Sequence, residues 1–322
     1  MMTVTAQDGL RSAPAFALGD LASVLQRRSA DYTDEVVDVR DVHMDPEDGS
    51  LAVGSSRYPL QPHALTQLGT KLGIPAGYLQ RCEPELRAQN VNRWLEQEGG
   101  GVFLRFDRLE VRAILSTRYR PLDNHEVVNA MLGTLPENSR LRFELTATRM
   151  EVQLIGNQSD GSLRDGLHLT NSEVGAASVS LSALIYRGIC LNGLIMGHGS
   201  YTWSKRHIGA TDLQHAFNEQ IPYLIEAGAQ ARGAFKGTTG VVVKDHEKAF
   251  ERIVERYQLT KPQHAAISQA YKEEPGVSLY HIINAVTRAG NHPELALEPR
   301  RQLQEVGGRM LTLAGEGRRW LD

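Results

Sequence analysis

Between Val102 and Arg187 apolar residues fall at every second position, in runs short enough to be strands; from Asp212 onward they fall three and four apart. This switch of period restricts the fold more than any other feature. A segment patterned for one period cannot present a continuous apolar face in the other. The runs Val102–Phe106 and Val111–Leu115 flank the short polar link Asp107–Glu110, and Leu141–Thr146 with Met150–Ile155 makes a second pair of the same kind. Links of that length join antiparallel neighbours. Leu167–Asn171 and Ser178–Arg187 add two more strands, and a helix is expected over Asn124–Leu132 with Asp123 or Asn124 as its N-cap. Helices follow at Asp212–Arg232, kinked at Pro222, and at His246–Tyr257, Pro262–Glu273, Ser278–Ala289 and Pro299–Ala314, with a break over Gly233–Gly240. The class expected is α+β: a mainly antiparallel sheet with hairpins and short helices, followed by a helical C-terminal region.

The first hundred residues are more mixed. A short helix fits Gly19–Arg28. The strand-like runs Glu35–Met44 and Ser50–Val53 flank Asp45–Gly49, which has good turn chemistry and reads as a hairpin. Pro62, Pro75 and Pro84 can each open a helix, and Gly99–Gly101 is the clearest punctuation in the chain. Length alone favours about two domains, with one or three open. The composition divides the chain into an acidic N-terminal α+β region (1–100), a central antiparallel sheet region (101–210) and a helical C-terminal region (211–322).

Charge sharpens that division. The net is −3, with nine basic and fourteen acidic residues in 1–100, ten of each in 101–204, and sixteen basic against fourteen acidic in 205–322. A chain coated with cations for nucleic acid is excluded, and any anion-binding surface is expected beyond residue 100. Cys82 and Cys190 are too few for a disulfide framework and read as reduced thiols. The stretch MMTVTAQDGLRS lacks a basic flank and apolar core, and no apolar run reaches the roughly 20 residues of a membrane helix, so a cytoplasmic setting without a membrane is expected.

Catalytic motifs are missing. No HExxH, CxxC or GxSxG occurs, and Gly233–Gly240 has its Lys before its Gly, unlike a phosphate-binding P-loop. The arginine-rich hairpin is more informative. Phe103 to Arg120 carries Arg105, Arg108, Arg112, Arg118 and Arg120, and strand alternation sets Phe103, Arg105 and Arg112 opposite the main apolar residues. Arginine beside an aromatic ring on an open strand face is the chemistry of single-strand binding: guanidinium to phosphate, ring on base. The competing explanation is a solvated sheet face whose arginines pair with nearby acids. Tyr201–His207 adds Lys205, Arg206 and Trp203, the last able either to stack on a base or to cover the junction of sheet and helices. Ser178, Ser180 and Ser182 make a row of small hydroxyls on one strand face.

Several segments resemble a family of phage and plasmid-like proteins, domain of unknown function 932. They are Gly73–Leu79, Asn90–Leu95, Leu104–Arg105 with Val111–Asn124, Thr170–Gly175 and Tyr186–Leu194, in the family's order, over roughly residues 70–235. The family name supplies no reaction; its genetic setting implies DNA recombination, replication or defence. Element order also resembles, distantly, the phage single-strand annealing recombinases, which implies rings or filaments of identical subunits.

The leading expectation is a DNA-binding protein, of the single-stranded DNA binding or annealing kind, in recombination or repair, with no catalytic centre and no cofactor. Its site would be Phe103, Arg105, Arg112, Arg118, Tyr119, Arg120, Lys205 and Arg206, and its partners single-stranded DNA and further copies of itself. Two alternatives stay open: a regulatory or structural protein that binds another protein, and a metal-dependent nuclease using Asp107, Glu110 and Asp123.

Overall fold

The structure, a computed structural model, describes residues 2–4, 10–12, 16–188 and 192–318, without the side chains of 2–4, 10–12 and 158–160. Cys190 lies outside the described residues; Cys82 is a buried free thiol. The fold is α+β, with antiparallel sheets built from hairpins and helices gathered in the C-terminal region.

The elements, in order, begin with β1 (Met2–Val4), β2 (Leu10–Ser12), β3 (Phe16–Ala17) and α1 (Leu18–Ser29). Next come β4 (Tyr32–Asp38), β5 (Val42–Met44), β6 (Leu51–Val53), β7 (Ser56–Tyr58), α2 (Pro62–Leu72), α3 (Ala76–Leu79) and α4 (Pro84–Leu95). The hairpin β8 (Gly101–Asp107) and β9 (Glu110–Ser116) leads to α5 (Asn124–Leu132). Then follow β10 (Arg140–Leu145), β11 (Met150–Asp160), β12 (Leu163–Asn171), β13 (Val179–Arg187), β14 (Asn192–Met196) and β15 (Thr202–Lys205). The chain closes with α6 (Leu213–Gly237), α7 (His246–Arg256), α8 (Lys261–Glu273), α9 (Leu279–Ala289) and α10 (Leu297–Gly315).

The large sheet has the order β1-β2-β10-β11-β12-β13-β14, with β3 also on β10 and β15 on the far end of β13. Its pairings are antiparallel throughout, and each residue therefore keeps one face. Leu141, Phe143, Val152, Leu154, Leu169 and Leu181 form the apolar face, packed with α1, α5 and the first half of α6. Arg142, Glu144, Glu151, Gln153, His168 and Thr170 form the other, and they are polar because α10 meets them with its own polar residues. The four C-terminal helices share a second core with the end of α6 and with β13 and β14. There Gly308 is required: a Cβ would stand 2.0 Å from the Ile195 carbonyl oxygen, so only glycine lets α10 lie on β14.

Three expectations change. Gly99–Gly101 is a turn inside one unit, not a boundary, because β8 pairs along its whole length with β4. Val102, Leu104 and Val111 join the core of α2 and α4. The Asp45–Gly49 hairpin forms between β5 and β6, while β4 leaves for that other sheet. Helix α6 passes Pro222 and continues to Gly237 rather than breaking at Gly233. No helix among the described residues is long and apolar enough to cross a membrane.

Candidate nucleic-acid interface

The hairpin β8–β9 sets Val102, Leu104, Phe106, Val111 and Ile114 on α2 and α4; a register slip reverses the alternation along β9, so Ala113 and Leu115 lie on the other face beside Arg105 and Phe103. Its other face is not open to solvent. The segment Asn171–Gly175 beyond β12 and the segment Tyr119–Asn124 fold across it, and this contact over about seventy residues of sequence decides the fate of each arginine.

Arg105 is 1% exposed. Its guanidinium makes five hydrogen bonds: two to Asp34 (2.8 and 3.0 Å), two to Asp123 (2.7 and 3.0 Å) and one to the Glu173 carbonyl (2.8 Å). That uses the full complement of five N–H donors and leaves none for a phosphate. Burial disfavours the charge, but the bonds to Asp123 and Asp34 outweigh it, and the pKa is raised. Arg112 is the extra residue where the register slips between Arg105–Ala113 and Phe106–Val111. The bulge turns it inward, to bond Glu173 at 2.6 Å with its guanidinium 3.8 Å from the centre of the Tyr32 ring. Tyr119 is buried, its hydroxyl placed between the carbonyls of Ser172 and Glu173 (3.2 and 3.1 Å), and burial raises its pKa. These three residues were expected to face nucleic acid. They are corrected to parts of the joint between the small sheet and the large one.

The same joint holds Glu173, Val174, Gly175, His63 and Gln67. Glu173 accepts from Arg112 with one carboxylate oxygen and from the Asn124 N–H with the other (2.8 Å). The Val174 carbonyl accepts from His63 (3.1 Å) and Gln67 (2.8 Å). Gly175 has φ +76°, and a Cβ there would meet Leu115 at 2.7 Å. Of the segments quoted for the family resemblance, two meet here, Leu104–Arg105 with Val111–Asn124 and Thr170–Gly175; Gly73–Leu79 and Asn90–Leu95 lie at α3 and α4, and Tyr186 and Arg187 lie in β13.

Beyond the strand end the picture reverses. The backbone of Tyr119 bridges Ile208, and the Arg120 N–H donates to the His207 carbonyl at 2.9 Å. This antiparallel crossing sets Arg120 opposite His207, next in sequence to Arg206 and two residues from Lys205, with Arg118 on the far side of the bridge. Arg118, Arg120 and Arg206 are exposed and Lys205 is half-buried. Among the described residues none of the four makes an ion pair, and the Arg120 guanidinium bonds only the carbonyls of Thr117 and Tyr119, both at 3.2 Å. A ring stack runs beneath: Phe103 on Tyr119 (centroids 6.0 Å apart) and Tyr119 on His207 (5.1 Å, 7° between planes). Phe103 is half-buried, with Val36 opposite it on β4 61% exposed. Burial lowers the His207 pKa, so the stack carries a neutral imidazole. Trp203 meets Phe217 edge to face at 5.8 Å; it covers the sheet–helix junction rather than offering a stacking surface. Of the serine row, Ser182 is buried against Thr202 (2.9 Å) and Ser180 half-buried.

Asp107 and Glu110 face each other across the hairpin turn, and Asp123 is engaged by Arg105. Among the described residues no three His, Cys, Asp or Glu gather as a metal-holding group. A separate polar chamber of about 50 Å³ lies between the large sheet and α10. There Arg300 holds Glu144 (2.6 Å), Gln304 accepts from Gln153 (2.6 Å) and His168 contacts Glu151. Its sequence signal was a polar residue at every second position of β10 to β12. Compared with family models, with curated proteins and with solved structures, the chain matches none.

Proposed function

We propose that this protein binds single-stranded nucleic acid through the ledge formed by Arg118, Arg120, Lys205 and Arg206. The observation that supports this reading is that four cations without acidic partners among the described residues lie within three positions of one backbone crossing, in a chain with an acidic excess. Unpaired guanidinium groups are suited to phosphate oxygens. Phe103 and the exposed Val36 and Ile208 supply apolar surface on which a base can rest. Arg105, Arg112 and Tyr119 hold the ledge in place and touch no ligand. The reading keeps the setting implied by the family resemblance, annealing or recombination without a nucleotide cofactor. A ledge of four cations spans few nucleotides, so a long strand requires adjoining subunits, in a ring or filament.

The test is fluorescence anisotropy with a labelled long oligonucleotide over a salt series. With four phosphate contacts, log Kd should change with log salt at a slope of about 3. The variant R118E/R120E/R206E should lose at least tenfold in affinity at low salt. Absence of binding at low salt, or equal binding by the variant, defeats the proposal. Sizing with and without the strand tests the assembly.

A further inference from the structure

A cavity of about 750 Å³ opens at the opposite part of the large sheet, where β11 breaks register between Ile155 and Ser159. It shares no residue with the ledge. Leu135, Leu154, Leu167 and Ile225 give it apolar walls. Its volume falls within the range of small-molecule sites, about 300–1,000 Å³.

Two polar side chains that line it are buried and lack hydrogen-bond partners. The Tyr186 hydroxyl has none, and neither carboxylate oxygen of Asp165 accepts a hydrogen bond. Each residue is 3% exposed. The sole partner of Asp165 among the described residues is the Arg232 guanidinium, an ion pair at 3.0 Å. Burial raises the pKa of both groups, as expected of polar atoms without donors or cations enough to compensate. Arg140 and Arg164 also line the cavity, both exposed and neither in an ion pair among the described residues. Arg164 stands directly opposite Tyr186 in the β12–β13 register.

These groups specify a ligand. Two unpaired guanidinium groups call for an oxyanion, and their fork suits phosphate. A carboxylate accepts only, so the ligand must carry N–H or O–H donors at the other end. The walls call for an apolar or flat body between. The Tyr186 hydroxyl stands on the same side of the sheet as Arg164, where an anionic end can accept from it, whereas Asp165 faces the α6 side with Ile185. A fatty carboxylate would satisfy the arginines and the walls yet leave Asp165 unbonded, whereas a nucleotide places a heterocycle with N–H groups there. We infer that this cavity binds a nucleoside monophosphate unit, either free or at the end of a strand.

Calorimetric titration of the full chain with GMP, AMP, inorganic phosphate and decanoate tests it. At least one mononucleotide should bind more tightly than phosphate and decanoate. R140A/R164A, both at exposed positions, should weaken it tenfold or more, and Y186F and D165N should weaken it without abolishing it. If D165N does not fold, the arginine pair and Y186F still decide the matter. No mononucleotide binding, undiminished binding by R140A/R164A, or tighter binding of decanoate overturns the assignment. The ledge variant R118E/R120E/R206E separates the sources. If a 5′-phosphorylated oligonucleotide binds it tenfold tighter than the free nucleotide, the occupant is a strand end; otherwise it is the free nucleotide. Mononucleotide binding should be unchanged in that variant, so failure of either site leaves the other's test intact.

Discussion

Arg105 and Arg118 lie thirteen positions apart in one arginine-rich stretch, and the fold gives them opposite tasks. Arg105 is enclosed, and its guanidinium N–H groups are all bonded within the protein. Arg118, just past the end of β9, is exposed and has no acidic partner among the described residues. Burial, not residue type, separates a structural arginine from one available to a ligand. A buried guanidinium must be fully paired to be tolerated, and once paired it has no donor to give.

The sharpest way to break this comparison is Arg105→Ala. It removes the charge that holds Asp34, Asp123 and the Glu173 carbonyl together, so the small sheet should loosen from the large one. A loss of about 3–5 kcal/mol is expected in urea unfolding. Arg105→Lys should recover little of it, since an ammonium offers three donors from one point and cannot grip two carboxylates in parallel. A loss below about 1 kcal/mol for Arg105→Ala would show that the joint does not depend on this residue.

The complementary variant is R118E/R120E/R206E. Its stability should stay within about 0.5 kcal/mol per site of the parent, as at exposed positions without partners. Its affinity for an oligonucleotide should fall at least tenfold, equivalent to about 1.4 kcal/mol, with a smaller salt dependence. If instead it unfolds readily while binding survives, the two classes of arginine have been assigned the wrong way round.

Much of the fold was legible because period is a local signal. The hairpin Leu141–Ile155 forms as patterned; Val102–Leu115 also forms, but a register slip inside it puts Ile114, not Ala113 or Leu115, on the core side. The helix starting at Asn124 forms with Glu126 reaching back to the Asp123 N–H at 2.8 Å. Helix α8 is capped by Thr260, with Gln263 accepting from the Thr260 N–H, also at 2.8 Å. The site was less legible, because alternation tells which residues share a face and not what covers it. Phe103, Arg105 and Arg112 do lie opposite the α2–α4 core. The covering segment comes from Asn171–Gly175, and nothing near residue 105 announces it. Arg118 and Arg120 sit outside the strand, where the alternation argument no longer applies; their exposure follows from the bridge to Ile208. The polar chamber beneath α10 is a different case. Glu144, Gln153 and His168 stood at the right alternation, and Arg300 and Gln304 one helical turn apart, so its parts were readable although their meeting was not.

A smaller effect should appear with pH, again at the joint. His63 and His207 lie on either side of the Ser172–Gly175 turn, and burial lowers the pKa of both. Each stays neutral in the folded chain at pH values where the unfolded chain, with an ordinary histidine pKa of about 6.5, takes up protons. The unfolded state then binds more protons, so stability falls as pH drops below about 6.5 and levels off once the folded-state pKa values are passed. Above pH 7 these two groups should contribute no slope. His63 donates to the Val174 carbonyl from Nε2, which Gln can imitate. H63Q should therefore keep most of the neutral-pH stability and flatten the decline between pH 6.5 and 5. The exposed ledge, with no histidine of its own, should show no matching change in oligonucleotide affinity while the chain remains folded. Urea midpoints and anisotropy measured across the same pH series decide it: a parallel decline of both would tie the ledge to the joint, and a decline in stability alone keeps them separate.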